Sequence, residues 1–529
     1  MIGAHGQELS QGWAQVPLRD VLLPTTTINP TTGKEGTFLY IDIEAVDNQR
    51  QRVSAPRRIE NALAPSRARN ALRAGDVIFS LVRPYLKNIA IIPTELDSAV
   101  ASTAFFVCRP GQDIDSRFLL NFLRREVFIA SITTYGSSPP AARDEEFERL
   151  PVLVPPSAEQ SRIADVLDEL FSDLDAGVAA LERVREKLKL YRASVLKAAV
   201  EGALTADWRV QHPHTEPATE LLNCILVERR RHWEEDQLAR FKAKGQEPPN
   251  NWKAKYKEPV ALDITNLPEL PRGWCWATID QVGEVRLGRQ RAPQHHHGNH
   301  MRPYLRVANV YEDSLDLTDV KEMNFTPEEF ATYALRFGDI LLNEGQSLEL
   351  VGRPAMYRDE ISECCFQNTL VRFRASLAVT AQYALIVFRG YLHSGRFRKI
   401  ANITTSIAHL GAERLIGIEF PLPPVAEQED IVEAAEDQLS VIDHLESDID
   451  AKLQSAQALR QSILRHAFTG QLVPQDPNDE PSSELLQRIA SQREARARET
   501  AAAKQAKKKP VQPGKSRHGR SEKKKAKDD

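Results

Sequence analysis

The sequence predicts mixed α/β heads plus a long antiparallel helical coiled coil, the whole internally duplicated with pseudo-two-fold symmetry. Three observations predict it. Residues 154–171 (VPPSAEQSRIADVLDELF) match 422–439 (LPPVAEQEDIVEAAEDQL) at an offset of 268, and 192–204 (RASVLKAAVEGAL) match 460–472 (RQSILRHAFTGQL) at the same offset. An unchanged offset across both segments means that no insertion was accepted, which a continuous helix demands and a loop does not. Each segment also carries apolar residues at steps of three and four, such as Ile163, Val166, Leu167, Leu170, Phe171, Leu174, Val184 and Leu188 in the first and Ile431, Leu439, Ile442, Ile449, Leu459 and Leu464 in the second.

The elements follow in chain order. Residues 1–154 form a first head: β-rich runs at 76–82, 89–93 and 104–108 precede an amphipathic helix expected over 117–131. Residues 155–205 hold the first long helix. Pro155-Pro156 block helix before it, Glu159 suits its first turn and Gly202 its stop. Counted as 159–200, it runs about 63 Å at the usual rise of 1.5 Å per residue. Residues 206–270 are a charged linker with a helix expected over 220–242. A second head (271–422) repeats the pattern, with a strand at 340–343 and a helix over 383–401. Residues 423–472 carry the second long helix, bounded by Pro423-Pro424 and Gly470, and 473–529 are a short helix and a basic tail with too little apolar content to fold alone. A helix of this length with one apolar stripe must bury it on another, and the duplicate supplies one of equal length. Pairing within the chain is favoured over an intermolecular coil because the two match residue for residue. Packed antiparallel, such helices would act as a spacer with a head at each end.

Composition excludes several functions. The chain has 529 residues with 42% hydrophobic and 27% charged side chains, too long for one ordinary core. No apolar run approaches the roughly 20 residues of a membrane span, and no basic stretch leads into an apolar segment at the N-terminus, so a cytoplasmic protein without a membrane partner is expected. Five scattered cysteines without a CxxC spacing argue against a disulfide framework or structural zinc. The formal net charge is -4, yet from Arg493 onward 14 Lys or Arg face 5 Asp or Glu, a balance of +9 that leaves -13 elsewhere. A globally basic nucleic-acid binder is excluded; local basic surfaces are not.

No phosphate loop, dinucleotide fingerprint, nucleophile elbow or HExxH occurs, so catalysis by this chain is not expected. His295, His296, His297 and His300 lie in a Gly/Pro/Gln-flanked loop, where adjacent histidines rarely converge on one ion, so no metal is expected there. What remains is binding chemistry. The first head offers Arg50, Arg52, Arg57, Arg58, Arg83, Lys87 and Tyr135; the second offers Arg289, Arg291, Arg302, Arg306, Asn309, Gln346, Gln367 and Asn368. Arginine can grip phosphate or chelate the O6/N7 edge of guanine, and Asn and Gln do the same for adenine. Any one of these is more simply a solvated surface residue; their clustering in both copies marks them as DNA-binding candidates.

The repeated PPSAEQ and PPVAEQ openings, the helix ends at Gly202-Ala-Leu and Gly470-Gln-Leu, the stretch GDILLNEGQSLELVGR (338–353) and the linker WEEDQLARFKAKGQEPPNNWKAKYKEP (233–259) together resemble the DNA-specificity subunit of type I restriction-modification enzymes. The resemblance covers about residues 12–489. It implies that the heads are two target-recognition domains reading a bipartite site in double-stranded DNA. It further implies that Glu159, Gln160, Glu427, Gln428, Gly202 and Gly470 mark the helix spacer and the subunit interface. The chain would bind no cofactor. Two modification subunits would carry S-adenosylmethionine and methylate adenine, and restriction subunits would use ATP and Mg. The alternative is a coiled-coil protein-protein adaptor without sequence-specific DNA binding.

Overall fold

In the computed structural model, which describes residues 10–32, 35–404 and 407–508, the two matched segments are helical from Ser157 to Val200 and from Val425 to Ala467. Both stop as their glycines dictate. Gly202 and Gly470 take left-handed φ of 72° and 70°. The Ala203 N–H then donates to the Ala198 carbonyl at 2.7 Å, and the Gln471 N–H to His466 at 3.0 Å, closing each helix by the same six-to-one bond. The linker helix spans Ala218–Ala243 and a last helix Ser482–Lys508. The basic tail from residue 509 lies outside the described residues. Among the described residues no helix is long and apolar enough to cross a membrane.

The chain divides into two compact units, one taking residues up to Ala180 and from Lys452, the other Leu181–Ala451. Each therefore contains one head and half of each long helix. In the first unit Arg460 of the second helix is ion-paired to Asp175 of the first. In the second unit Arg192 donates to Asp443 at 2.5 Å and to Glu446 at 2.8 Å, and Arg185 to Asp450 at 3.3 Å. In the second unit rising numbers on one helix meet falling numbers on the other, so there the halves run antiparallel. Arg192 and Asp443 are the duplicates of Arg460 and Asp175, so the same bridge is made twice.

In the first unit the strands Ala14–Pro17 and Pro151–Val154 pair antiparallel, joining the two ends of the head. Between them lie two five-stranded sheets, one ordered Thr26–Thr27, Ala68–Ala71, Val100–Ser102, Thr37–Ile41, Arg57–Glu60, the other Phe105–Cys108, Val77–Ser80, Ile89–Ile91, Arg52–Val53, Val46–Asp47. The head does not merely sit on its helix. Phe79, Phe118, Phe122 and Phe147 share one core with Ile163, Leu167 and Phe171 of the first long helix, Leu464 and Phe468 of the second, and Leu485 and Ile489 of the last. Phe468 reaches Phe118 and Phe122 with ring centroids 5.1 and 5.2 Å apart. Burying such a ring contributes roughly 2–3 kcal/mol.

The second unit repeats the scheme. Cys275–Thr278 pairs antiparallel with Glu419–Leu422. A four-stranded sheet runs Gly283–Leu287, Leu370–Ala375, Ile340–Asn343, Pro354–Met356, beside smaller sheets that include Met301–Leu305 with Cys365–Phe366 and Gly345–Gln346 with Ile407–His409. Phe388 packs against Phe373, Phe397 and Phe420 in its core. In the linker Trp233 stacks on Trp252 at 5.9 Å, folding 252–256 back along the linker helix.

Two expectations need correction. The helix over 117–131 is two, Ser116–Leu123 and Glu126–Ala130, because Arg125 leaves helical geometry with ψ 138° and turns Phe128 toward Phe122. That over 383–401 is Ala381–His393 and Arg396–Ile400, broken where Gly395 takes φ 72°. The apolar stripes of the long helices are also not wholly covered, since Leu170 and Val184 on the first and Leu459 on the second are exposed; off the stripes, Leu190, Tyr191, Val441 and Leu445 are exposed as well.

Candidate functional site

The residues that open the long helices build the same junction twice. In the first unit Glu159 and Gln160 are 1% and 0% exposed. The Trp13 indole N–H donates to Glu159 at 3.0 Å. The Gln160 amide accepts from the Asp115 backbone N–H at 3.1 Å and donates to the Pro155 carbonyl at 2.9 Å. In the second unit Trp274 donates to Glu427 at 2.8 Å, while the Gln428 amide accepts from Thr380 at 2.8 Å and donates to Pro423 at 3.2 Å. Asp115 and Thr380 are the N-caps of the head helices. One Glu-Gln pair thus fixes the start of the head and the start of its helix against the long helix. Glu427 further accepts from Thr205 at 2.7 Å and pairs with Arg209, whereas in the first unit Arg162 pairs with Asp479 at 2.6 Å. Burial raises the Glu159 carboxyl above its ordinary range, an effect that the Trp13 bond partly offsets. These four residues were expected at a subunit interface; fully buried inside the chain, they are instead its internal joints. Gly202 belongs to the same joint, since a Cβ there would lie 2.8 Å from the Pro271 ring and 3.0 Å from Trp274. A Cβ on Gly470 would strike Ser10.

A second duplicated device, which sequence reading left unassigned, is a Gly-Asp pair before equivalent strands: Gly75-Asp76 before Val77–Ser80 and Gly338-Asp339 before Ile340–Asn343. Asp76, 2% exposed, receives two bonds from Arg109 at 2.9 and 2.7 Å and one from the Arg73 N–H at 2.8 Å. Asp339, 1% exposed, receives two from Arg374 at 2.6 Å and one from the Arg336 N–H at 2.8 Å. The signal was the repeated Gly-Asp itself, since a buried aspartate is tolerated only when paired.

Around these joints the candidate polar residues separate into surface and framework. In the first head Arg57 and Arg58 lie exposed on the edge strand Arg57–Glu60, Arg57 paired to Asp42 and near the Tyr40 ring. Arg50 and Arg52 are exposed on the hairpin of the other sheet. Arg83 and Lys87 flank the turn Pro84–Leu86, both in left-handed backbone (φ 50° and 56°), a conformation costly for side-chain-bearing residues. The turn is tied down by the Arg83 N–H to the Pro140 carbonyl at 2.8 Å and holds Tyr85 57% exposed. Tyr135 lies on the adjoining bridge with Ala141, bonded to Glu146 and covered by the Arg143 guanidinium at 4.0 Å. Arg83, Lys87, Tyr85, Tyr135 and Arg143 therefore form one patch, and Arg143 was missed by sequence reading.

In the second head Gln346, Gln367 and Asn368 converge through backbone bonds: the Gln367 N–H donates to Leu305, Asn368 to Arg289, and Glu344, two residues before Gln346, to Thr369. Gly288 permits this, because a Cβ there would meet the Gln367 carbonyl at 2.2 Å. Arg306 and Arg302 stand partly exposed beside this surface, paired with Asp319 and Glu363, and Arg291 is exposed and bonded to His296. Arg289 and Asn309 are corrected from surface to framework. Arg289 is 7% exposed and held by Glu329 at 2.7 Å. Asn309, 2% exposed, uses its amide to cap the turn at Arg306 and to bond the Asp316 carbonyl at 2.8 Å. Neither has an edge left for a base. Among the described residues no three His, Cys, Asp or Glu side chains converge as metal ligands.

Comparison with known proteins is consistent with this arrangement. Residues 12–183 match the family described as type I restriction modification DNA specificity domain. The chain is 24% identical over 401 residues to the type I restriction enzyme EcoKI specificity subunit of Escherichia coli K12, covering 74% of both chains. It is 23% identical over 517 residues to the EcoEI specificity subunit of Escherichia coli, covering 85% of this chain and 81% of that one. A solved chain from work on complex assembly and conformational transition of the type I R-M system shares the fold, with a TM-score of 0.65 at 22% identity, over 88% of this chain and all of that one.

Proposed function

We propose, from a chain that groups with the type I restriction-modification specificity subunits in sequence and fold, that it reads a bipartite target in double-stranded DNA, one half-site per head, and catalyses no step itself. The observation that carries this reading is the duplicated joint. Each head is fixed by the same Trp-Glu and Gln-cap bonds to its own long helix, so the chain carries two readers mounted in the same way. The recognition domains are residues 1–154 and 271–422, and 155–205 and 423–472 are the conserved helices. In the first head Arg50, Arg52, Arg57, Arg58, Arg83 and Lys87 serve phosphates and guanine edges, with Tyr135 and Arg143 beside them. In the second, Gln346, Gln367 and Asn368 face bases and Arg291, Arg302 and Arg306 the backbone.

The exposed apolar residues of the long helices, among them Leu190, Tyr191, Val441 and Leu445, supply the surface on which two modification subunits dock. Those subunits carry S-adenosylmethionine and methylate adenine; restriction subunits carry ATP and Mg. Methylome sequencing of a host with and without this chain tests the reading: one bipartite adenine motif should appear with it. Exchanging residues 271–422 for a relative's second head should then change one half of that motif and keep the other. No motif, although modification subunits bind the chain, would favour a protein-protein adaptor instead.

A further inference from the structure

In the first unit the second position of the head helix Ser116–Leu123 is Arg117. It donates to Asp165 at 2.8 Å and to Asp168 at 2.9 Å, two carboxylates one turn apart on the long helix, and to its own N-cap Asp115 at 3.0 Å. One guanidinium thus satisfies three acids. In the second unit the duplicates of Asp165 and Asp168 are Glu433 and Glu436, and the acids are kept. The place of Arg117, second residue of the helix Ala381–His393, is taken by Gln382, and the N-cap is the uncharged Thr380. The two glutamates have no hydrogen-bond or ion-pair partner among the described residues, nor have Glu429 and Asp437 beside them.

These groups line an open cavity of about 550 Å³. Its lining also includes Met356 and Phe337, the latter 61% exposed although it is a large apolar ring. The single cation on the lining, Arg358, is already engaged, donating to Asp313 at 2.7 Å. The cavity therefore presents carboxylates one helical turn apart, as Asp165 and Asp168 are, together with an aromatic ring, the combination that binds an arginine head and its aliphatic stem. DNA, with its phosphates, is repelled from it.

We propose that this groove of the second unit is a docking pocket for an arginine side chain, flanked by apolar residues, of the modification subunit, which occupies the place that Arg117 fills from within in the first unit. The inference rests on the reading of the chain as a scaffold for such subunits.

The test is binding of the full-length chain to the purified modification subunit of the same system, followed by titration calorimetry at low and high salt. Gln382→Arg supplies the missing guanidinium from within, at the geometry already realised by Arg117. It should leave the fold intact, with an unchanged or raised midpoint of thermal unfolding, yet weaken binding about tenfold or more and flatten its salt dependence. Glu433→Gln with Glu436→Gln should weaken binding to a similar extent by removing the acceptors. Should Gln382→Arg fold poorly, the double glutamine variant decides alone. Wild-type affinity in a folded Gln382→Arg chain, or in the double variant, overturns the pocket. Failure of the unaltered chain to bind the modification subunit at all would instead refute the scaffold reading on which the pocket depends.

Discussion

Replacing Trp13 by phenylalanine removes one N–H from a buried carboxylate. Glu159 is 1% exposed; its Oε2 accepts from Trp13, and beyond that only the Gln475 side chain and the more distant Arg162 favour its charged form. Losing a bond to a buried charged group costs about 1.5–3 kcal/mol, and the smaller ring adds a packing loss, so a total of about 2–4 kcal/mol is expected. The equivalent Trp274→Phe should cost less, about 1–2 kcal/mol, because Glu427 keeps Thr205 and Arg209.

The pH dependence separates the charge effect from the packing effect. Burial already raises the Glu159 carboxyl above its unfolded value, so the folded state favours the protonated form and loses stability as pH rises above the ordinary carboxylate range. Without Trp13 the carboxyl rises further, so the penalty should be larger at pH 8 than at pH 5. Hydrogen exchange read by mass spectrometry resolves the two units separately. Amides of Ala14–Pro17 and Pro151–Val154 should lose protection by about 30- to 700-fold at pH 8, and by clearly less at pH 5. Equal losses in the two variants, or a loss independent of pH, would refute the assignment of Glu159 as a charged buried joint.

Two further outcomes are expected. Burial would raise the Glu312 carboxyl, but His393 at 3.0 Å and Arg389 at 2.9 Å hold it at about 2. Its stabilisation is therefore present above the ordinary 4.5 and lost as pH falls from there toward 2. Glu312→Gln should lower the stability of the second unit at neutral pH by about 2–3 kcal/mol and abolish that part of its acid sensitivity, as measured by urea unfolding between pH 7 and 3. Gly202→Ala, forced into a φ of 72° against Pro271 and Trp274, should destabilise the second unit by about 1–3 kcal/mol in the same assay, while Gly177→Ala, with open space around it, should not.

The long helices were legible because their signal is local and doubled: a constant offset, proline pairs before and glycines after, all acting within a few residues. The heads were less so. Their sheets are built from strands as short as Arg52–Val53 and Cys365–Phe366, too brief for an alternating pattern to accumulate. The break at Arg125 carries no glycine or proline to announce it. Arg289 and Asn309 look like surface readers in the sequence because an arginine does not carry its partner with it; Glu329 lies forty residues on and Asp316 seven. The Glu-Gln pairs were visible as a repeated motif, but their role required knowing that Trp13 and Asp115 come to meet them.

The division of the chain bears on its synthesis. The second unit is one continuous stretch, whereas the first needs residues up to Ala180 together with those from Lys452. On a ribosome adding about 5–20 residues per second, the N-terminal head waits about 14–57 s after Ala180 before Leu464, and after it Phe468 and Leu485, emerge and complete its core. The later-made unit is thus the first that can finish folding. Meanwhile the growing chain exposes the faces of Phe118, Phe122 and Ile163, which makes this interval the stage at which a chaperone would be needed most.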